Sequence, residues 1–598
     1  MSLRDVLSPF TAWKHVINDP VTIKDPFTRE AADRYRGFHQ NDMEKCIGCG
    51  SCETICQNAA IDMVPVEGQV TGPGDSGLRP MIDYGRCCWC ALCVDVCMTG
   101  SLTMSNAYTW VDSDPDAFRF VPGVDAKSWD NEPKGYSRED VRRLSGTTRA
   151  PMGEMEPEAR ICNFDEIVHG FTREQAVLEA DRCVECGLCV ATCPAHMDIP
   201  DYIRLVREGD YEAGLQLLYE TNPFSQACGR ICTHNCETSC AALHEGDPIA
   251  IRWLKRNITD SVPRERYFDL IQKPDVPDTG QSVAIIGAGP AGLTAAFDLA
   301  RKGHKVVVFE ALPKPGGMMR YGIPEYRMPY DVLDHEISVI ESMGVEIRCN
   351  MRVGHEMSMD QLKTAYDAVV LGIGLHQGRS TRIPGSVHAE AAIDLLRRIT
   401  ADEEVPVPPQ VAVIGGGNVA MDIARSMARL QQAKYGQVGV TVTALEALEK
   451  FLADPEEVRE ALEEGCVILD ARGPQEIMLD GDTVTGLRTW KVNAIFDAEG
   501  RFAPKYDEGD EVIHPAGMVI EAIGQMSDIS LLGAELTETL EWNRGRIMID
   551  RDGQTSEPWL WAAGDATSGP DVIHAVADGH RVAVSVAKML TAKRETLQ

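Results

Sequence analysis

The run Val283 to Ile286, VAII, is continuously apolar and fits a strand buried on both faces. A glycine-rich turn follows, then AGLTAAFDLARKG with apolar residues at helical spacing, then KVVVFE as a second buried strand ending on an acid. The same order begins again at Val411 with VAVIGGGNVAMDIAR. AVVLGIG reads as a returning strand and turn, VIEAIGQ as a late strand, and HAVADGHRVAVSVAKML as a helix. Upstream, IPDYIRLVREGDYEAGLQLLYETN has helical periodicity. Residues 1 to about 40 are polar and irregular. From 113 to 160 the chain is rich in Asp, Pro, Gly and Ser without periodicity, which predicts a linker or an arm tied down across the next domain. No run of about 18 apolar residues occurs, and MSLRDVLSPFTAWKHV lacks a basic segment followed by an apolar core. The expectation is a cytoplasmic protein with no direct membrane span.

The first strand–turn–helix–strand unit spaces Gly287, Gly289 and Gly292 as GxGxxG. Gly287 allows the tight turn, Gly289 lets backbone approach a pyrophosphate at the helix N-terminus, and Gly292 lets helix pack on strand. Glu310 ends the second strand, where a ribose hydroxyl would sit. A lone glycine motif arises for steric reasons alone, but here strand, turn, helix, strand and acid are all in register. The second unit offers Gly415, Gly417 and Ala420. One nucleotide fingerprint inside another marks a flavoprotein with two dinucleotide sites: the outer domain for FAD, the inner for a nicotinamide nucleotide. Gly316 and Gly317 permit close backbone approach to a flat ligand. The late WAAGDATSG, with Gly564 and Asp565, reads as a closing flavin motif, followed by a helix whose N-terminus would favour negative charge on a reduced flavin.

With 598 residues, 44% of them hydrophobic and 25% charged, the chain suits several soluble globular domains. The formal charge of −33 argues against nucleic acid and against an anionic membrane; it permits a basic partner protein or simply serves solubility.

Of twenty cysteines, sixteen fall in four tight arrays, a pattern for metal rather than for disulfides. Cys46, Cys49, Cys52 and Cys56 have C-x2-C-x2-C-x3-C spacing, and Cys87, Cys90, Cys93 and Cys97 repeat it. In two-cluster ferredoxins the fourth cysteine of each run ligates the other cluster, which pairs Cys97 with the first three and Cys56 with Cys87, Cys90 and Cys93. A zinc ribbon, the alternative, favours two ligand pairs across a longer gap. The third array is Cys183, Cys186, Cys189 and Cys193; the fourth is Cys228, Cys232, Cys236 and Cys240. Spacing by four would set the fourth array on one face of a helix. Cys88, Cys162, Cys349 and Cys466 read as packed thiols, and His574 as a candidate flavin contact or a packing residue.

YRGFHQNDMEKCIGCGSC and RPMIDYGRCCWCALCVDVC resemble the two-cluster ferredoxin subunit of respiratory complex I and related hydrogenases, over roughly residues 20 to 112. Gln57 and Met98 depart from it, standing where a proline is usual. From about 160 to 598, RCVECGLCVATCP, NPFSQACGRICTHNCETSC and the first glycine motif resemble an iron–sulfur flavoprotein family. Its members include the small subunit of glutamate synthase, the large subunit of NADH-dependent ferredoxin-NADP oxidoreductase and the N-terminal half of dihydropyrimidine dehydrogenase. The resemblance implies one cluster on Cys183, Cys186, Cys189 and Cys240, and a second on Cys193, Cys232 and Cys236. The fourth ligand of the second falls at Lys255, whose ammonium cannot ligate, so Cys228 is the substitute. It also implies that Gly316 and Gly317 serve the flavin and that Asp565 reaches its ribityl chain. Members that use NADPH carry an Arg-Arg pair where this chain has Leu445 and Glu446; a carboxylate there favours NADH, while Ala420 in place of a third glycine leans mildly towards NADP(H).

The expected fold is α/β multidomain: an N-terminal ferredoxin-like domain with two 4Fe-4S clusters, an α-helical domain with two more, then two nested Rossmann-like domains. The expected limits are 1–112 for the ferredoxin domain with its arm, 113–160 for a linker and 161–272 for the helical domain. The FAD domain is expected over 273–404 and 506–598, with the NAD(P) domain over 405–505. The expected function is an NADH-favouring FAD iron–sulfur oxidoreductase subunit. Hydride passes between nicotinamide and FAD with no catalytic side chain required, and electrons run along four 4Fe-4S clusters. The far end would meet a hydrogenase, formate dehydrogenase, sulfur-compound reductase or bifurcating complex, or ferredoxin. The alternatives are a transfer subunit with an idle nicotinamide site, a stand-alone NAD(P)H:ferredoxin oxidoreductase, and a protein like the glutamate synthase small subunit.

Overall fold

The computed structural model describes residues 31–69, 71–72, 74–132, 135–138 and 148–597, with Trp13 and Val16. Most of the N-terminal arm and residues 139–147 of the expected linker lie outside the described residues. The chain forms two compact units. The first takes in the described part of Met1–Thr147 with Cys186–Leu188 and Ser239–Pro248; the second takes in Thr148–Glu185, Cys189–Thr238 and Ile249–Gln598.

In the first unit the duplicated cysteine runs lie beside two small antiparallel sheets. His39–Asn41 pairs with Leu102–Met104, so that the strands flanking the two runs close the domain on itself. Ile61–Pro65, Leu78–Asp83 and Arg119–Phe120 form the other sheet. Its third strand lies beyond residue 112. Phe120 and Trp129 are buried in the same apolar core as Phe38, Ile82, Tyr84 and Val94, and Phe38 stacks on Trp129 with ring centroids 4.4 Å apart. The described part of 113–138 is therefore part of this domain, not a linker. Its polar composition hid the aromatic residues that anchor it.

The second unit begins with helices. Ile199–Glu208 buries Ile199, Tyr202, Ile203 and Val206, one face at the spacing its sequence predicts. The fourth cysteine array is not one continuous helix. Ser225–Ile231 ends at Cys232, whose φ of −63° and ψ of 138° are extended, His234 takes a φ of 41°, and a short helix Asn235–Thr238 follows. Four-residue spacing here spans a break between two helices.

Two five-stranded parallel sheets complete the unit. The first has the order Glu346–Arg348, Lys305–Phe309, Ser282–Ile286, Ala368–Leu371, Leu560–Ala562. The second is Glu390–Ala391, Met518–Glu521, Val411–Ile414, Val440–Thr443, Val467–Leu469. The second is inserted whole between the fourth and fifth strands of the first. Met518–Glu521 thus belongs to the inserted sheet, as does Glu390–Ala391, so the insertion is wider than 405–505 at both ends. A long antiparallel meander, Arg472–Asp480, Thr483–Phe496 and Phe502–Pro515, extends it. Buried Arg425, on the helix Asn418–Tyr435, bonds both oxygens of Glu464 at 2.9 and 3.0 Å and lies 2.6 Å from Glu460, fixing the helix that carries the second glycine motif.

Candidate redox site

The strand Ser282–Ile286 delivers the chain to Gly287, whose φ of 102° excludes other residues; a Cβ there would lie 2.4 Å from the Gly372 carbonyl oxygen. Gly292 abuts Gly287, where a Cβ would stand 2.1 Å from its carbonyl oxygen. Helix Pro290–Arg301 starts at Gly289 with Pro290 at its first position, leaving its N-terminal N–H groups aimed outward. Gly317 approaches from the other side, so that a Cβ on it would lie 2.7 Å from the Gly289 Cα, and Gly316 donates to the Ala288 carbonyl at 2.8 Å. Glu310 is buried; its carboxylate accepts from the Ala288 and Leu312 amides, both at 2.8 Å, while burial raises its pKa.

These parts open on a cavity of about 740 Å³. Gly287, Gly289, Glu310 and Gly317 line it, as do Gly564 and Asp565, the latter with its pKa raised to about 6 by burial. Helix Val572–Leu597 presents its first residue, Val572, and Asp571 just before it to the same space. His574 is not in the lining; it bonds Asp571 at 2.7 Å. From the inserted domain come Asn418, Val419 and Asp422, at the start of the helix after the second glycine motif. Gly415, Gly417, Ala420 and Glu446 lie outside the lining: Gly415 has a φ of 145°, Gly417 precedes the helix, and Ala420 is buried in its first turn. The first fingerprint and the helix start just after the second glycines thus share one cavity, which brings the two dinucleotide-binding domains to a common space as a hydride transfer between them needs. Its size, glycine walls and buried acid fit a flavin dinucleotide.

Ile231 and Thr233 line the cavity too, and Thr233 donates to the Asp571 carboxylate at 2.7 Å. Both flank Cys232. Nothing in the periodicity of the fourth array announces this; the only sequence signal is a hydroxyl residue beside a cysteine. Lys255 is buried near Cys232: burial lowers its pKa, but the fields of Cys232, Cys228, Cys193 and Cys236 outweigh it and the pKa is raised. Cys228 is fully buried, and burial pushes its thiol up to about 12 against the pull of Lys255.

In the first unit the two cysteine runs fold alike. Gly48 and Gly50 have φ of 64° and 74°; at the matching positions Trp89 and Ala91 take 54° and 67°. Side-chain-bearing residues held there cost about 1 kcal/mol each, a strain that persists only where surroundings impose it. Backbone amides of Ala60, Trp89 and Leu102 point at the sulfurs of Cys56, Cys87 and Cys97 at 3.3, 3.4 and 3.5 Å. Amides aimed at sulfur suit thiolates carrying cluster charge. Cys186 and Cys240 belong to the first unit; burial raises the Cys186 thiol to about 11, and Cys49 and Cys240 add to it. Cys183, Cys189, Cys193, Cys228, Cys232 and Cys236 belong to the second. Cys88 and Cys162 are exposed and Cys349 half-buried rather than packed away; only Cys466 is buried.

Four cysteine arrays and two dinucleotide motifs in one chain, with residues on either side of Cys232 lining the cavity, define an iron–sulfur oxidoreductase. The chain belongs to the pyridine nucleotide-disulphide oxidoreductase family, whose profile matches residues 281–579. Dihydropyrimidine dehydrogenase domain II with its 4Fe-4S cluster matches 160–267, and a 4Fe-4S dicluster domain matches 45–101. The beta subunit of the NADP(+)-dependent formate dehydrogenase of Moorella thermoacetica is 37% identical, over 67% of this chain and 60% of that one. Escherichia coli AegA is 30% identical over 93% of this chain and 87% of its own. The small chain of the NADPH glutamate synthase of E. coli is 33% identical over 72% of this chain and 95% of that one. The family and its clusters give an iron–sulfur oxidoreductase with FAD and NAD(P) sites. Among the described residues no helix is long and apolar enough to cross a membrane.

Proposed function

We propose that this chain is the nicotinamide-oxidising subunit of a larger redox assembly, preferring NADH and passing electrons through four 4Fe-4S clusters to a partner redox subunit. The observation that carries this reading is the pair Ile231 and Thr233: residues flanking Cys232 line the cavity shared by the first glycine motif and the helix start that follows the second. When bound, the flavin supplies the exchange between hydride chemistry and single electrons, and the clusters supply one-electron carriers. The protein's part is placement. Gly287, Gly289 and the helix from Pro290 bind the pyrophosphate; Glu310 holds the ribose; Gly316, Gly317, Gly564 and Asp565 shape the rest of the FAD site. Gly415, Gly417 and Ala420 cradle the nicotinamide nucleotide. The N-terminus of Val572–Leu597 offers its dipole to negative charge gathered on a reduced ring. No side chain is required to act as acid or base.

The ligand sets we assign are those of two-cluster ferredoxins, Cys46, Cys49, Cys52 with Cys97 and Cys87, Cys90, Cys93 with Cys56, and those the family resemblance implies, Cys183, Cys186, Cys189 with Cys240 and Cys193, Cys232, Cys236 with Cys228 as substitute fourth ligand. A partner follows from the company the relatives keep: one is named as a formate dehydrogenase subunit, another as a glutamate synthase chain. Hydrogenase, sulfur-compound reductase and bifurcating partners, or ferredoxin, fit the same output.

Those relatives are named for NADP(+) and NADPH, which favours a second reading, NADPH use. Against it, Leu445 and Glu446 follow the strand Val440–Thr443, where a 2′-phosphate would need cations and a 2′-hydroxyl an acceptor. Dye-linked kcat/KM for the two nucleotides tests this. NADH should lead by about tenfold or more, and Glu446→Arg should shrink or reverse the ratio; a parental preference for NADPH contradicts it.

A further inference from the structure

The two cysteine runs of the first unit are near copies, yet their third cysteines meet different neighbours. Cys52 lies 3.9 Å from the Met63 thioether. Cys93, at the matching position, lies 3.3 Å from Nε2 of His39, a buried imidazole on the strand His39–Asn41. That ring is held on its other side: Tyr84 Oη lies 2.7 Å from His39 Nδ1 and accepts from the His39 backbone amide, also at 2.7 Å. One arrangement uses every proton. The hydroxyl, already accepting from the amide, donates to Nδ1, which leaves the ring proton on Nε2 facing the sulfur. The opposite tautomer strands the buried hydroxyl proton and aims a nitrogen lone pair at a thiolate. Trp129 donates to the His39 carbonyl at 3.3 Å, and Gln40 donates to the Trp129 carbonyl at 2.7 Å, so the segment beyond residue 112 fixes this strand in place.

We propose that His39 is a positioning residue for electron transfer, a neutral donor whose Nε2–H bonds the Cys93 thiolate and raises the potential of the cluster on that array. The inference rests on Cys93 being a cluster ligand. A thiolate on a reduced cluster carries more negative charge than on an oxidised one, so an N–H donor favours the reduced state. The backbone donors come from both runs, but the imidazole serves only one, which makes duplicated sites unequal. Trp89, Cys90 and Leu92 of this run are exposed. His39 thus biases electrons towards the cluster on the array of Cys93, whose flanking residues are exposed in the first unit.

The test is a potentiometric titration of the cluster-loaded full chain, followed by low-temperature EPR, with His39→Leu, His39→Gln and Tyr84→Phe beside the parent. In His39→Leu one cluster signal should lose about tenfold in its reduced-to-oxidised ratio at the parental midpoint, a shift of about 59 mV to the negative, with the others unmoved. His39→Gln, which keeps an N–H near the same place, should recover most of it, and Tyr84→Phe should shift the same signal less. Unmoved midpoints in a fully loaded His39→Leu chain, or equal shifts in the Leu and Gln variants, overturn the inference. If His39→Leu fails to load iron, an unmoved midpoint in Tyr84→Phe overturns it instead. A parent with no second ferredoxin-type signal would overturn the ligand assignment itself, and this inference with it.

Discussion

At Gly317 the backbone has φ of 56° and ψ of −136°, a region essentially closed to residues with a Cβ, and the Gly289 Cα stands where that Cβ would go. Gly317→Ala should therefore move the wall of the cavity and cost at least tenfold in FAD retention, read as flavin absorbance per chain. Gly280→Ala is the control: its φ of 71° is also left-handed, but its Cβ would meet nothing within 4 Å. It should lose about 1 kcal/mol of stability and keep its flavin. At this scale the glycines were legible because each answers to a local steric demand. His39 was not: it lies in the quoted run YRGFHQ, but its partner Tyr84 is 45 residues away and Cys93 is 54 away. No local pattern records such a contact.

Between elements, Glu336 on the helix Tyr330–Ser342 accepts from the Gln226 and Ala227 amides at 2.6 and 3.0 Å and from Tyr219 at 3.2 Å. It thereby caps the helix leading to Cys228 and Cys232. Burial raises its pKa from 4.5 to about 8. A carboxyl with a raised folded pKa binds its proton more tightly folded than unfolded. Its contribution is therefore full below about pH 4.5 and is lost as pH rises through about 8. Glu336→Gln keeps an acceptor and cannot titrate, so its denaturation midpoint should fall less than the parent's between pH 5 and 8; parallel profiles would contradict this. The elements themselves were largely legible. Amphipathic and all-apolar runs gave helices such as Ile199–Glu208 and strands such as Val411–Ile414. Two features escaped: the helix break at Cys232, since regular spacing says nothing about φ and ψ, and the third strand at Arg119–Phe120, whose pairing is non-local.

Across the whole molecule, the order of arrays and fingerprints in the sequence matches the nested sheets, because a domain inserted in another leaves its mark as one motif between two parts of a second. The seams were less visible. Glu390–Ala391 and Met518–Glu521 pair although 127 residues separate their starts on the chain, and a two-residue strand has no periodicity to read. The cavity joins these scales, since glycines from one sheet, a helix start from the other and the residues around Cys232 all reach it. The central claim is that electrons entering at this cavity travel to the clusters, including those of the N-terminal runs. Stepwise anaerobic addition of NADH to the cluster-loaded chain, with visible absorbance and low-temperature EPR recorded at each step, tests it most directly. The account predicts flavin bleaching accompanied by cluster signals from both the helical and the ferredoxin-type arrays; a flavin that bleaches while every cluster stays oxidised, with dithionite still able to reduce them, would contradict it.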